Sequence, residues 1–269
     1  MRYETLDSLA IPKIGFGTWK IGGGSSAERS QDTRNLAALR TALQLGYIHF
    51  DTAELYAAGH TEELLGQAIR DSHVSRESLL ITSKVRPEHL RYDDVVKSCE
   101  GSLLRLGTDY LDLYLIHWPS GGMKLPDTFR ALNKLVADKK VRHIGVSNFD
   151  LRLLKVSVDL SETPILTDQV PYSLNDRSYV RNGVLDYCQA HDILLTAYSP
   201  IDQGHFRAGK GLKAIAEAHS ATPQQIALAW LVAQPRVITI PMSRDALHQK
   251  ENIDAADIAL TESEMVELA

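Results

Sequence analysis

Eight short apolar runs, each followed by a stretch of helical periodicity, predict an α/β chain that closes into a parallel barrel with its helices outside. The runs are KIGFGT (13–18), YIHFDT (47–52), LLITSK (79–84), YLDLYLIH (110–117), VRHIGVS (141–147), ILTDQV (165–170), ILLTAYS (193–199) and VITIP (237–241). Between them apolar residues recur on one helical face: Leu36, Leu39 and Leu43, then Leu64, Leu65, Ala68 and Ile69, then Val95, Cys99, Leu103 and Leu106. Eight β–α units in about 250 residues match a (β/α)8 or TIM barrel. No linker, low-complexity tract or change of composition divides the chain, so residues 1–269 are expected to form one domain. An open doubly wound sheet is the rival architecture, and the strand count disfavours it.

The elements follow in order. An N-terminal β-hairpin precedes the first unit, and GGGSS at 22–26 is a loop after the first barrel strand. Thr222-Pro223-Gln224-Gln225 carries a helix cap, a proline at the first helical position and a glutamine at the third. Thr261-Glu262-Ser263-Glu264 is a second capping box, opening a C-terminal helix. Ser243 is placed to cap a short helix whose free N–H groups face an anion.

Composition excludes several classes. The formal net charge is −5 and charges of both signs are mixed, which is no nucleic-acid footprint. The cysteines, Cys99 and Cys188, lie far apart without a CxxC partner, so both are expected in the core and no disulfide framework is expected. The ten histidines show no HxH or HExxH spacing, so no metal site is expected. MRYETLDSLAIPKIGFGTWK has no apolar signal core, and no run approaches the ~18 apolar residues of a membrane span. A cytoplasmic protein with no membrane partner, a monomer or weak homo-oligomer, is the expectation.

The chemistry concentrates where strands end. Asp51 and Tyr56 follow the second run, Lys84 ends the third and His117 ends the fourth. Polar groups at the close of buried strands are costly unless a site uses them. Active sites of this fold sit at the C-terminal ends of the strands, where Ser147, Asn148, Gln169 and Tyr198 also lie. A phenol, an ammonium to lower its pKa, a carboxylate to hold the ammonium and an imidazole donor describe a proton donor for a carbonyl oxygen. The set contains no hydride source.

DTAELYAAGHTEELLGQAI, ITSKV, LDLYLIHWP, IGVSNF and AYSPI, in that order, resemble the aldo-keto reductase signatures, and the likeness runs from GFGTW near residue 15 to Glu251-Asn252. The resemblance implies a (β/α)8 barrel that reduces aldehydes and ketones with NADPH, NADH being possible. It places the catalytic tetrad on Asp51, Tyr56, Lys84 and His117, with Tyr56 as the acid. It implies that Ser147, Asn148 and Gln169 bind the nicotinamide carboxamide, that Tyr198 stacks on the ring, and that Ser199 joins the cofactor site. No Rossmann fingerprint is present, since Lys20 occupies the third glycine position after Gly15 and Gly17.

By the same resemblance Ser243 and Arg244 meet the adenosine 2′-phosphate region, and Glu251 and Asn252 the adenine. Two residues depart from the pattern: Met242 stands where a phosphate-binding lysine is common and His248 where an arginine is common. Trp19 and Trp118 match pocket-lining aromatics, and without a long C-terminal tail an open site for small aldehydes and 2-oxoaldehydes is expected. Two alternatives remain at this point: a lyase using Lys84 as a Schiff-base nucleophile, and a non-catalytic cofactor-sensing subunit, a role some family members serve. The carboxylate of Asp51 argues against the first, because it raises a lysine's pKa.

Overall fold

The computed structural model describes residues 2–6 and 9–269. Strands β1 (Tyr3–Leu6) and β2 (Leu9–Pro12) form the antiparallel N-terminal hairpin; its turn lies outside the described residues. Eight strands then follow: β3 (Phe16–Gly17), β4 (His49–Asp51), β5 (Leu80–Val85), β6 (Leu111–Ile116), β7 (Val141–Ser147), β8 (Ile165–Pro171), β9 (Leu194–Tyr198) and β10 (Val237–Thr239). Each pairs in parallel with the next in sequence.

The sheet closes on itself. Ile14 bridges Thr239 in parallel, the Gly15 N–H donates to the Thr239 carbonyl at 2.8 Å, and the Gly17 N–H donates to the Pro241 carbonyl at 3.1 Å. The predicted barrel therefore holds, and the open doubly wound sheet does not. Closure depends on glycine at one point: a Cβ on Gly17 would lie 2.5 Å from the Ile240 carbonyl oxygen.

The helices are α1 (Asp32–Gln44), α2 (His60–Ser72), α3 (Tyr92–Leu106), α4 (Leu125–Ala137), α5 (Leu151–Leu160), the short α6 (Ser178–Arg181) and α7 (Val184–Ala190), α8 (Lys210–Ala218), α9 (Pro223–Ala233), α10 (Ala246–Asp254) and α11 (Glu262–Leu268). The predicted apolar faces are the ones buried: Leu39 and Leu43 on α1, Leu64, Leu65 and Ala68 on α2, Val95, Cys99 and Leu106 on α3. Leu36, Ile69 and Leu103 pack at the edge of the same core. Both capping boxes form, Thr222 with Gln225 and Thr261 with Glu264. The cap of α10 is Asp245, whose side chain accepts from the His248 N–H; Ser243 sits two residues earlier and accepts from the Asp245 N–H at 3.1 Å. The expectation of a Ser243 cap is corrected on this point, because the helix starts later than its sequence spacing suggested.

One end of the barrel is sealed. Leu6 and Ile11 of the hairpin pack on Leu194 and Ile238, which lie near the starts of their strands. Lys13 Nζ donates to the Gln234 and Val237 carbonyls at 3.0 and 3.2 Å. Above this plug the interior carries polar pairs: His49 Nε2 with Thr82 Oγ1 at 3.0 Å and Thr167 Oγ1 with Thr196 Oγ1 at 2.8 Å. The seal leaves only the C-terminal ends of the strands open to a ligand.

Gly17→Ala is expected to lower stability by about 1–3 kcal/mol, since the added methyl must push the β3–β10 seam apart. Urea unfolding checks this; an unchanged midpoint would show that the seam yields without cost.

Candidate active site

Asp51 ends β4 and Lys84 lies one residue from the end of β5, and both side chains are buried. Lys84 Nζ donates to Asp51 Oδ1 at 2.6 Å, to the Thr52 carbonyl at 2.8 Å and to Tyr56 Oη at 3.3 Å. All three ammonium donors are thereby used. The second oxygen of Asp51 accepts from Gln169 Nε2 at 2.8 Å, across the barrel from β8. Thr18 Oγ1 holds the Asp51 carbonyl at 2.8 Å. Tyr56 lies in the turn after β4, its ring edge-on to Trp19 at 5.0 Å and to His117 at 5.5 Å between centres. The two residues after it, Ala57 and Ala58, both adopt left-handed backbone, with φ of 50° and 54°. Such conformations cost about 1–3 kcal/mol each in a non-glycine residue and concentrate at working sites. The Ala57 N–H, bound to the Gly24 carbonyl at 2.9 Å, ties this turn to the glycine loop after β3.

The protonation states follow from burial. Burial pushes the Tyr56 phenol up and outweighs the opposing pull of the Lys84 ammonium. The expected lowering is thus reversed: the cation is present at the expected place, but the phenol is too poorly solvated for it to prevail. Tyr56 is held as an acid with its proton on. Burial also disfavours the Lys84 charge, yet the Asp51 carboxylate and the Tyr56 phenol outweigh it and raise the ammonium above its usual range. His117 is pushed down to about 3 by burial and by the Lys84 charge, so its imidazole is neutral at physiological pH.

The opposite wall comes from β7, β8 and β9. Ser147 Oγ donates to the Gln169 carbonyl at 2.7 Å, and Asn148 Nδ2 donates to the His117 carbonyl at 3.0 Å and to Ser147 Oγ at 2.9 Å. Tyr198 Oη donates to Asn148 Oδ1 at 2.9 Å. Asn148 has φ 64°, a left-handed value that asparagine tolerates better than most residues. Asp51, Tyr56, His117 and the wall share one cleft of about 450 Å³, lined also by Trp19, Trp118 and Ser199, with Lys84 fully buried behind it. Leu55 and Ile201 add apolar surface that the sequence did not single out, because their positions depend on how the loops fold back, and Met242, expected at the phosphate end, also lines the cleft.

Ser243, Arg244, Glu251 and Asn252 do not line this cleft. They lie beyond it, on the loop after β10 and on α10. Arg244 Nε donates to Asn35 Oδ1 on α1 at 2.8 Å and its Nη2 donates to the Lys20 carbonyl. Arg244 thus spans the gap between the loops after β3 and β10. His248 is exposed. Cys99 and Cys188 are both buried and unpaired, as expected. Among the described residues no cluster of metal-ligating side chains occurs, and no helix is long and apolar enough to cross a membrane.

Eight parallel strands with buried Asp51, Lys84 and His117 beside a half-buried Tyr56 at one rim define an oxidoreductase barrel acting on carbonyl groups. The chain belongs to the aldo/keto reductase family, whose model matches residues 13–269. It is 35% identical over 269 residues to the methylglyoxal reductase YeaE of Escherichia coli, covering 97% of this chain and 90% of the relative. It is 38% identical over 259 residues to the glyoxal reductase of Bacillus subtilis, covering 96% and 88%. A thermostable aldo-keto reductase solved with the inhibitor epalrestat superposes with a TM-score of 0.96 at 46% identity, covering all of this chain and 98% of that one. An aldo/keto reductase from Klebsiella pneumoniae, solved with NADP and acetate, gives 0.87 at 37% identity, covering 97% and 92%.

Breaking the buried pair alone should be costly. Lys84→Met is expected to destabilise by about 3–5 kcal/mol, and Asp51→Asn combined with it by less than the sum of the two singles. Denaturant melts of the three variants test this, and strict additivity would show that the two groups are not coupled.

Proposed function

We propose that this chain is an NADPH-dependent carbonyl reductase that converts small aldehydes and 2-oxoaldehydes to alcohols. The observation that carries this reading is the contact set around Lys84, which joins Asp51 at 2.6 Å to Tyr56 at 3.3 Å on the floor of the cleft. The substrate class draws on the likeness to methylglyoxal and glyoxal reductases, and the cofactor on solved neighbours that hold NADP or NADPH. The whole of 1–269 is read as one catalytic unit, and the free buried thiols suit a reducing cytoplasm.

The cleft's chemistry suits a nicotinamide. An amide needs donors and acceptors side by side, and Ser147, Asn148 and Gln169 offer both. Gln169 spends Nε2 on Asp51 and keeps Oε1 for an amide N–H. Tyr198, braced through its hydroxyl by Asn148, offers a flat face for the ring. Nicotinamide bound there supplies the hydride.

The chain's own residues handle the proton. His117, neutral, donates an N–H to the substrate oxygen and sets its angle. Tyr56, protonated because it is buried, gives its proton to that oxygen as negative charge develops on it. The Lys84 ammonium stabilises the phenolate left behind, and Asp51 keeps that ammonium charged and aimed. Trp19, Trp118 and Leu55 exclude water from the reacting carbon.

A Schiff-base lyase fits poorly. Its lysine must be neutral and reachable, whereas Lys84 is buried, is raised in pKa and has three acceptors around its nitrogen. Tyr56→Phe removes the proton while keeping the ring, so it should lower methylglyoxal reduction by about 10²–10⁴-fold with NADPH affinity nearly unchanged. Consumption of NADPH followed by absorbance decides this, and turnover near the parent's would remove Tyr56 from the acid's role.

The adenosine end is read through Arg244. With methionine at 242 and an exposed histidine at 248, its guanidinium is the fork left to grip a 2′-phosphate. Arg244→Ala should weaken NADPH much more than NADH, by about tenfold or more. Fluorescence titration with both nucleotides tests it, and equal losses would reduce Arg244 to a bridge between loops.

A further inference from the structure

Of the four groups at the rim, Tyr56 is the one that stands off the strands. Asp51 ends β4, Lys84 lies within β5, and His117 follows β6 directly, its N–H donating to the Val85 carbonyl at 3.0 Å. Tyr56 sits in the turn after β4, and the next two residues, Ala57 and Ala58, have left-handed backbone. Such backbone persists only where its surroundings over-determine it. The phenol meets Lys84 Nζ at 3.3 Å, the longest of that ammonium's three bonds. The place of the phenol therefore depends on how the turn is held against β5 and β6.

Glu54, two residues before Tyr56, provides the hold. Its side chain is only 9% exposed. Its Oε1 accepts from the Arg86 N–H at 2.7 Å, and its own N–H reaches the Lys84 carbonyl at a weaker 3.4 Å. His89 Nδ1 lies 3.3 Å from the same oxygen and 2.9 Å from Ser98 Oγ on α3. The peptide between Val85 and Arg86 is thus bonded at both ends: its carbonyl takes the His117 N–H and its N–H gives to Glu54. A peptide unit is planar and stiff, so this one fixes the Tyr56 turn relative to His117. A carboxylate makes the stronger kind of bond to an N–H, and it polarises the peptide so that the far carbonyl accepts better.

We propose that Glu54 is a positioning residue for the proton transfer: through the Val85–Arg86 peptide its carboxylate sets the distance between Tyr56 and His117, so that both groups converge on one carbonyl oxygen. The inference rests on the reading of Tyr56 as the acid and His117 as the orienting donor. Glu54 touches neither the reacting atoms nor the residues read as the nicotinamide wall. It therefore acts on turnover through Tyr56 and leaves cofactor affinity alone.

The test uses Glu54→Ala and Glu54→Gln in the full chain, each alone and combined with Tyr56→Phe. The readouts are kcat for methylglyoxal reduction at saturating NADPH, and NADPH affinity from quenching of intrinsic fluorescence. Glu54→Ala should lower kcat about tenfold or more, since misplacing a reacting group by a fraction of an ångström is enough for that, and should bind NADPH within about twofold of the parent. Glu54→Gln, whose amide oxygen still accepts from Arg86, should keep kcat within about threefold. Added to Tyr56→Phe, Glu54→Ala should cost nothing further, because a missing proton donor cannot be misplaced. Parent-like kcat in Glu54→Ala would overturn the proposal. So would equal losses in both Glu54 variants, a loss of NADPH affinity matching the loss of kcat, or a full tenfold loss on top of Tyr56→Phe. Failure of Glu54→Ala to fold would overturn it too, because the carboxylate would then serve stability. If Tyr56→Phe alone turned over like the parent, the reading of the acid would fail first; an inactive Tyr56→Phe beside a parent-like Glu54→Ala would remove this inference only.

Discussion

Most of the candidate site hangs on one contact, the ion pair of Lys84 and Asp51 inside the barrel. Two charges removed from water lose several kcal/mol of hydration each, and only close geometry with further hydrogen bonds offsets that loss. The barrel supplies both. Asp51 and Lys84 stand on adjacent strands, the Thr52 carbonyl takes a second ammonium proton, and Gln169 reaches across from β8 to the other carboxylate oxygen. The third ammonium proton is left for Tyr56. The requirement to satisfy a buried lysine therefore aims the phenol, and the requirement to satisfy a buried aspartate aims a residue of the opposite wall.

The same pair explains why the site occupies one end only. A buried charge needs strand ends whose loops can contribute carbonyls and polar side chains, and the other end is closed by the hairpin, with Lys13 neutralised there by Glu4 and two carbonyls. Left-handed backbone occurs at both ends of the barrel, at Lys139, Asp192 and Arg236 just before strands and at Ala57, Ala58, Asn148 and Ser199 on the cleft side. Below the site, His49, pushed down to about 4 by burial, pairs with Thr82.

The strands and the meeting of Asp51, Tyr56, Lys84 and His117 were legible because their signal is local. An apolar run that closes on Asp, Lys or His, as three do, is visible without knowing its neighbours, and eight apolar runs in series leave few topologies. What was not legible depends on distance or on face. The cation expected to lower the Tyr56 pKa is in place, yet its effect is outweighed by burial, which the sequence does not display. Asp245 and Ser243 are both good caps by type, and only the path of the chain after β10 selects Asp245. The partners of Arg244, Asn35 and Lys20, lie more than 200 residues away in the chain. In TDQV the strand pattern makes Gln169 and Asp168 face opposite ways without saying which is inside; the contact with Asp51 settles that.

The two ends of the proposed cofactor site are built from different physics. At the nicotinamide end Ser147, Asn148 and Gln169 are buried and Tyr198 is half-buried, and they are bound to one another, so their electrostatics act in a poorly screened interior. At the adenosine end Arg244 is half-buried, His248 is exposed and Met242 carries no charge. Contacts there are weakened by salt and by competition with water. Under the proposed function, substitution at 242, 244 and 248 retunes which nucleotide binds while the Tyr56 phenol, positioned by the Lys84 pair, stays as it is. The proton chemistry then rests on satisfied buried charge and the choice of cofactor on a half-buried guanidinium outside the cleft, so the two are separable.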